Sequence, residues 1–111
     1  MCPTHEISVF RQIIKRIKKS APGVIIQLST GGRAGKDWEA RANPLRLVPE
    51  MGSFTTGSVN FPGMVYENSP QFMKYLADVF RETGVKPEIE VFEAGMIANA
   101  VHFLKKGLIH A

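Results

Sequence analysis

The sequence predicts an α/β fold in which parallel strands alternate with helices along the chain. Segments with helical periodicity flank short apolar segments, in the order helix, strand, short helix or loop, strand, helix, strand, helix. Residues 24–28, VIIQL, form a mostly apolar run without regular alternation, which is typical of a strand buried on both faces of a parallel sheet. We expect the 111 residues to form one domain with about three strands and three to four helices.

The first half of the chain is predicted to begin with a helix over residues 4–19, ended by 20-SAPG-23. At helical spacing its apolar stripe and its cations fall on opposite faces. The stripe comprises Ile7, Phe10, Ile14 and Ile17. The first strand spans residues 24–28. After an irregular or briefly helical stretch to Glu50, a second strand spans residues 51–56.

The second half is predicted to contain two helices with one strand between them. Ser69-Pro70 is a cap followed by a proline at the first helical position, and Gly84 ends this helix. Its apolar face comprises Phe72, Met73, Leu76, Val79 and Phe80. The third strand spans residues 86–92, and the last helix spans residues 96–106 and ends at Gly107. The inward positions predicted for the last helix are Ile97, Val101 and Leu104.

Composition and charge argue against several classes of protein. A content of 44% hydrophobic and 22% charged residues is typical of a folded domain. The apolar runs are too short to span a bilayer and no signal segment is recognised, so we expect a cytoplasmic protein without a membrane partner. The single cysteine, Cys2, predicts neither a disulfide nor a zinc cluster. The net charge of +4 comes largely from one helix face without interleaved aromatic residues, so no nucleic-acid partner is expected.

The segment 29-STGGRAGK-36 follows the first strand and has some features of a phosphate-binding loop. The spacing from Gly31 to the Gly-Lys pair is one residue too short for a P-loop, and Asp37 replaces the required hydroxyl. The dinucleotide pattern G-x-G-x-x-G is also absent from this segment. Adjacent glycines beside the Ser29 hydroxyl suit an anion, including a carboxylate. A plain tight loop is the alternative.

Polar residues follow or end each of the three predicted strands. The carboxyl ends of parallel strands meet at one edge of the sheet, so these residues can form one site for a small carboxylate-bearing molecule. The candidates are Ser29, Gly31, Gly32, Ser53, Asn60, Glu90 and Glu93. For Ser29 and Ser53, local capping of the turn is an equal alternative. Glu90 is assigned a functional role because an unpaired carboxylate facing the interior is costly.

Four stretches of the sequence resemble the β-keto acid cleavage enzymes, a family that includes the 3-keto-5-aminohexanoate cleavage enzyme of lysine fermentation. The stretches are 26-IQLSTGG-32, 49-PEMGSFTTGSVNF-61, 67-ENSPQFMKYLADVFRETGVKPEIEVFEAGMI-97 and 104-LKKGLI-109. They occur in the order and at separations compatible with the family and span nearly the whole chain.

The resemblance implies a zinc-dependent TIM barrel that condenses a β-keto acid with acetyl-CoA, giving acetoacetate and a new CoA thioester. It assigns the substrate's carboxylate and keto group to Ser29, Gly31, Gly32 and Ser53. It assigns Glu90 to the catalytic acid–base network. Asn60, which we group with the substrate-binding positions, and Arg41 match recurrent family positions without a defined role.

The family's zinc ligands, a His-x-His pair and a late glutamate, have no counterpart in this sequence. Its acid–base aspartate and partner arginine have none either. His5, His102 and His110 are scattered, so we predict no metal ligand in the chain.

A complete barrel needs about 250 residues. We therefore expect residues 1–111 to form one partial barrel domain from the middle βα units, associating as a homo-oligomer through unpaired strand edges. The alternative is a noncatalytic or split-subunit module that binds anions.

Overall fold

The computed structural model describes residues 3–33 and 35–110, in which a parallel sheet packs against helices. The helices are α1 (Ile7–Ser20), α2 (Trp38–Ala42), α3 (Pro70–Thr83) and α4 (Ala94–Lys105), with a 3₁₀ helix at Asn43–Leu47. The strands are β1 (Gln27–Leu28), β2 (Met51–Thr55), β3 (Val59–Phe61), β4 (Met64–Tyr66) and β5 (Lys86–Glu90). The predicted α/β class with parallel strands is confirmed. In the described ranges, no helix is both long enough and apolar enough to span a membrane.

The sheet has the strand order β1-β2-β5, and both pairings are parallel. Gln27 pairs with Met51 at one end, and Thr55 pairs with Glu90 at the other. Because the strands run in the same direction, the residues that follow β1 and β2 and those that end β5 lie at the same edge. This edge carries the candidate site.

The strand β1 is shorter than predicted. Only Gln27 and Leu28 pair as a strand, although the amide of Met51 also donates to the carbonyl of Ile26 at 3.1 Å. The amide of Val24 instead donates to the carbonyl of Ala21 at 3.2 Å, which keeps the start of the predicted strand in the turn after α1. Similarly, β5 ends at Glu90 and not at residue 92.

The core forms between α3, α4 and one face of the sheet. Phe54 is fully buried and meets Phe80 of α3 and Phe103 of α4 edge to face, with ring centroids 5.9 and 5.4 Å apart. The predicted apolar face of α3 is buried throughout, which confirms that prediction. Ser69 caps this helix by accepting the amide of Phe72 at 3.1 Å, and Gly84 ends it with φ of +70°.

The prediction for the buried face of α4 is wrong. Ile97, Val101 and Leu104 are 57%, 41% and 40% exposed. The residues that face the core are Met96, Ala100 and Phe103. Since α4 is apolar around much of its circumference, periodicity alone does not fix its rotation, and the contact of Phe103 with Phe54 does.

The helix α1 packs loosely against the rest of the fold and has no fully buried residue. Ile7, Phe10 and Ile14 of its predicted stripe are half-buried, whereas Ile17 is exposed. An ion pair between Lys18 and Glu50 ties its last turn to the start of β2.

An antiparallel hairpin, β3–β4, occupies residues between the second predicted strand and Ser69, where the sequence analysis assigned no helix or strand. Val59 pairs with Tyr66 and Phe61 with Met64, around a turn formed by Pro62 and Gly63. Gly63 has φ of +81°, which the third residue of a type II turn requires. The dipeptide Pro-Gly between apolar residues was the signal for this hairpin in the sequence.

Candidate functional site

A cavity of about 510 Å³ lies at the carboxyl edge of the sheet. One wall is the loop after β1, with Ser29, Gly31, Gly32 and Arg33, and the floor includes Glu90 at the end of β5. The opposite wall is the hairpin β3–β4, which contributes mainly apolar side chains. The cavity therefore combines polar groups with an apolar wall, as ligand sites for small organic molecules do. A second cavity of about 470 Å³ lies around the amino end of β5 and contains none of the predicted site residues.

The loop after β1 is held in shape by its own hydrogen bonds. The hydroxyl of Ser29 accepts the amide N–H of Gly31 at 3.1 Å, and Nε2 of His5 donates to the carbonyl of Gly31 at 2.8 Å. A Cβ added to Gly31 would lie only 3.1 Å from the Ser29 hydroxyl oxygen, so this glycine spares the turn a tight contact. Ser29 caps the turn and remains exposed at the cavity, where its hydroxyl proton is free to point at a ligand.

Ser53 lies beneath this loop and does not border the cavity. Its side-chain oxygen accepts the amide of Thr30 at 2.9 Å, and the Thr30 hydroxyl donates to its carbonyl at 3.0 Å. Both residues are buried. Ser53 therefore ties the end of β1 to β2 in this structure, and direct contact with substrate stays a prediction.

Glu90 is half-buried, and its carboxylate has a partner. The hydroxyl of Thr55 donates to Oε2 of Glu90 at 2.5 Å and lies 3.3 Å from the hydroxyl of Tyr66. Since Tyr66 and Glu90 both border the cavity, these three side chains form one hydrogen-bonded group at its floor. Such a group can hold a carboxylate in position to exchange a proton with a bound molecule.

Arg41 lies behind the loop, is only 3% exposed, and binds three separate segments. Its Nε donates to the carbonyl of Thr30 at 2.9 Å, its Nη1 to that of Glu67 at 2.8 Å, and its Nη2 to Oδ1 of Asn68 at 2.6 Å. The guanidinium stacks on Phe72, with Cζ 3.8 Å from the ring centroid. Burial lowers the pKa of Arg41, and Tyr66 and Glu67 act in the opposite direction.

The structure thus brings Ser29, Gly31, Gly32 and Glu90 to one cavity and leaves Asn60 outside it. Asn60 is exposed on the hairpin strand β3 and does not border the cavity, so its assignment stays a prediction. Glu93 is exposed at the start of α4 and does not border the cavity either. The sequence predictions did not include the hairpin wall, represented by Phe61, Met64 and Tyr66, and the signal for it was the Pro62-Gly63 turn between these residues.

The family model for the β-keto acid cleavage enzymes matches residues 2–111. The chain belongs to this family. The resemblance stated from the sequence motifs is therefore confirmed.

Two curated relatives in this family align with nearly all of the chain. The 3-oxoadipate:acetyl-CoA acetyltransferase of Cupriavidus necator is 45% identical over 107 residues, which are 96% of this chain and 37% of that protein. The 3-keto-5-aminohexanoate cleavage enzyme of Fusobacterium nucleatum is 42% identical over 108 residues, again 96% of this chain and 40% of that protein. The chain thus spans about two fifths of these relatives.

The fold of this chain is similar to that of a protein of known structure. The apo structure of ObcA has a TM-score of 0.79 and 28% identity, over 94% of this chain and 23% of ObcA. A ternary complex of ObcA with a C4-CoA adduct and oxalate has a TM-score of 0.77.

The zinc that the family resemblance implies does not fit the residues described here. Residues 3–33 and 35–110 contain no group of three His, Cys, Asp or Glu side chains placed to hold a metal ion. The nearest histidine to the cavity loop is His5, and it is bonded to the carbonyl of Gly31. We therefore assign no metal ion to the described residues of this chain.

Proposed function

We propose that this chain supplies the part of a β-keto acid cleavage enzyme that holds the keto acid. In the reaction, a β-keto acid and acetyl-CoA give acetoacetate and a new CoA thioester. The names of the two relatives support a keto acid substrate, and one of them also names acetyl-CoA.

The observation that carries the proposal is the convergence of four predicted residues on one cavity. Ser29, Gly31 and Gly32 border it from the loop after β1, and Glu90 borders it from the end of β5. The three loop residues lie 58 or more positions before Glu90 along the chain. The parallel register of β1, β2 and β5 brings the loop and Glu90 together. A hydroxyl donor and a carboxylate that border the same cavity suit an acid that carries a second reactive group.

Each group has a role that follows from its position. The Ser29 hydroxyl donates to the substrate's carboxylate, which is a charge-assisted hydrogen bond. Glu90, held by Thr55 and close to Tyr66, supports proton transfer near the keto group. The apolar hairpin wall receives the acyl chain of the keto acid.

The remaining parts of the catalytic site belong to segments other than the described residues. We propose that the three-stranded sheet is one arc of a (β/α)₈ barrel, since β1 and β5 each have one edge that no strand of residues 3–33 and 35–110 pairs with. Zinc and the acid–base aspartate enter this proposal through the family resemblance only. A cytoplasmic location and a homo-oligomeric state stay predictions from the sequence.

Binding of a β-keto acid to the purified chain tests the proposal directly. Acetoacetate is titrated into the ¹⁵N-labelled chain, and amide chemical shifts are followed by NMR. We expect the shifts to concentrate at residues 29–32 and at Glu90. The variant Ser29→Ala should bind at least about tenfold more weakly, because a hydrogen bond to a charged group contributes about 1.5–3 kcal/mol.

Ser20→Ala is the matched control, since Ser20 is exposed at the end of α1 and does not border the cavity. It should bind acetoacetate as the wild type does. Shifts that avoid the loop after β1, or equal losses in the two variants, would contradict the proposal.

The alternative function is an anion-binding module without catalysis, which the self-supported loop after β1 also permits. Metal analysis of the complete assembly separates the two possibilities, because the proposed enzyme requires zinc and a noncatalytic module does not. Tight stoichiometric zinc bound by this chain alone would contradict our placement of the zinc ligands outside it.

A further inference from the structure

The guanidinium of Arg41 is a buried cation whose hydrogen-bond partners are all neutral. It donates to two backbone carbonyls and one side-chain amide oxygen. Among residues 3–33 and 35–110, no carboxylate forms an ion pair with it. The side chain of nearby Glu67 is instead 3.7 Å from Lys36, and both of these are largely exposed.

A buried charge normally has a counter-charge, because transfer of an unpaired ion out of water is costly. Three hydrogen bonds and the stacking on Phe72 satisfy the geometry of the guanidinium, while the largely exposed carboxylate of Glu67 offsets only part of its net charge from a distance. The electrostatic potential around Arg41 is therefore positive, and an anion bound nearby would stabilise the buried guanidinium.

The position of Gly32 indicates where that anion would bind. A Cβ added to Gly32 would lie 3.7 Å from both Cζ and Nε of Arg41, so the guanidinium packs directly against this residue. Gly32 also borders the cavity, whereas Arg41 does not. The backbone of the loop therefore stands between the buried cation and the cavity.

We propose that Arg41 is a positioning residue that provides the counter-charge for a carboxylate held at residues 29–32. It acts through the loop: its bond to the Thr30 carbonyl fixes the backbone, and its charge favours an anion on the other side of Gly32. The identification of that anion as a β-keto acid rests on the proposed function, whereas the preference for a carboxylate does not.

The size of the effect follows from Coulomb's law. A unit charge about 8 Å from a carboxylate, at an effective dielectric constant of about 20, changes affinity by roughly 30-fold. The exposed Arg33 also borders the cavity, but salt screens an exposed charge far more than a buried one.

The test compares a charged ligand with a neutral ligand of nearly the same shape. Acetoacetate, methyl acetoacetate and acetate are titrated by NMR into the wild-type chain, Arg41→Gln and Arg46→Gln. Arg46 is the matched control, because it is half-exposed on the 3₁₀ helix and 3.8 Å from Glu82. We expect Arg41→Gln to weaken acetoacetate and acetate by roughly 30-fold and methyl acetoacetate by no more than a few-fold.

This ratio separates charge from structure. If Arg41 only holds the loop in shape, the acid and its ester lose affinity equally, and the inference is overturned. Arg46→Gln should leave the ratio of acid to ester affinity at its wild-type value, and a change in that ratio would also count against the inference.

A measurement on the wild type covers the case in which Arg41→Gln does not fold. Because Arg41 is buried, the affinity for acetate should fall by less than about threefold between low salt and 0.5 M salt. A fall of tenfold or more would assign the counter-charge to an exposed cation such as Arg33 and overturn the inference.

The same titrations distinguish this inference from the proposed function. Acetate binding that depends on Arg41, with no preference for acetoacetate over acetate, supports the inference and contradicts the proposed function. Acetoacetate binding at the loop with an unchanged acid-to-ester ratio in Arg41→Gln does the reverse. Absence of binding by either acid contradicts both.

Discussion

The substitution Gly52→Ala tests how tightly the sheet packs against the 3₁₀ helix that follows Arg41. Gly52 is buried in β2, one residue before Ser53. A Cβ at this position would lie 2.3 Å from Cδ2 of Leu45 and 3.1 Å from Cζ of Phe80. Leu45 and Phe80 are 0% and 3% exposed, so both side chains lie in the core, where packing is dense.

The magnitude follows from these distances. Carbon atoms in contact are about 3.5–4.0 Å apart, so the Leu45 methyl group must retreat by more than about 1 Å. Overpacking of a closed core costs about 1–3 kcal/mol. In a domain of about 100 residues, each kcal/mol lowers the melting temperature by about 4–8 °C. We therefore expect Gly52→Ala to melt roughly 5–20 °C below the wild type.

Thermal unfolding followed by circular dichroism at equal protein concentrations measures this difference. Gly23→Ala is the control, since a Cβ at Gly23 meets nothing within 4 Å. Both changes restrict the unfolded chain similarly, so the difference between the two variants reports packing. A Gly52→Ala variant that melts at or above Gly23→Ala would show that Leu45 can move aside, and our packing argument would then be wrong.

Three further predictions concern the site, the response to acid and the assembly. In a complete enzyme of the family with these residues, Ser29→Ala should mainly raise KM and Glu90→Gln mainly lower kcat; equal effects on both constants in both variants would contradict the assigned roles. The side chain of Lys18 and the amide of Ile26 lower the pKa of Glu50 from 4.5 to about 2, so its contribution to stability is full above pH 4.5 and is lost as the pH falls through about 2. The difference in melting temperature between wild type and Glu50→Gln should therefore shrink over that pH range, and a constant difference would count against this linkage. The purified chain should associate through its unpaired strand edges in sedimentation velocity, whereas a monomer with a sharp melt would show that it closes its own core.

Local sequence signals were sufficient for the elements whose ends and faces depend on neighbouring residues. The helix α3 was predicted from its Ser69 cap, Pro70, its apolar face and Gly84, and all of these act within a few residues. The three parallel strands were also located, although β1 and β5 are shorter than predicted. The motifs around Ser29 and Glu90 were sufficient to identify the family.

The candidate site was predictable as a set of loops but not as a set of contacts. Parallel strands place their carboxyl ends at one edge, so the sequence could predict that Ser29, Gly31, Gly32 and Glu90 would meet. It could not predict the hydrogen bond from Thr55 to Glu90, or the one from the Thr30 amide to the Ser53 hydroxyl. The partners in each of these bonds are 23 or more residues apart.

The sequence by itself therefore determined the class of fold, the family and the edge of the sheet where the polar residues gather. These follow from periodicity, caps and motifs, which are properties of short segments. Only the tertiary structure decided which face of α4 is buried. This helix has apolar residues on several faces, and the contact of Phe103 with Phe54 selects one of them. It also placed the charge of Arg41 behind Gly32, since the guanidinium takes its position from three segments that are distant in sequence. Long-range packing selects among arrangements that local preferences leave nearly equal in free energy.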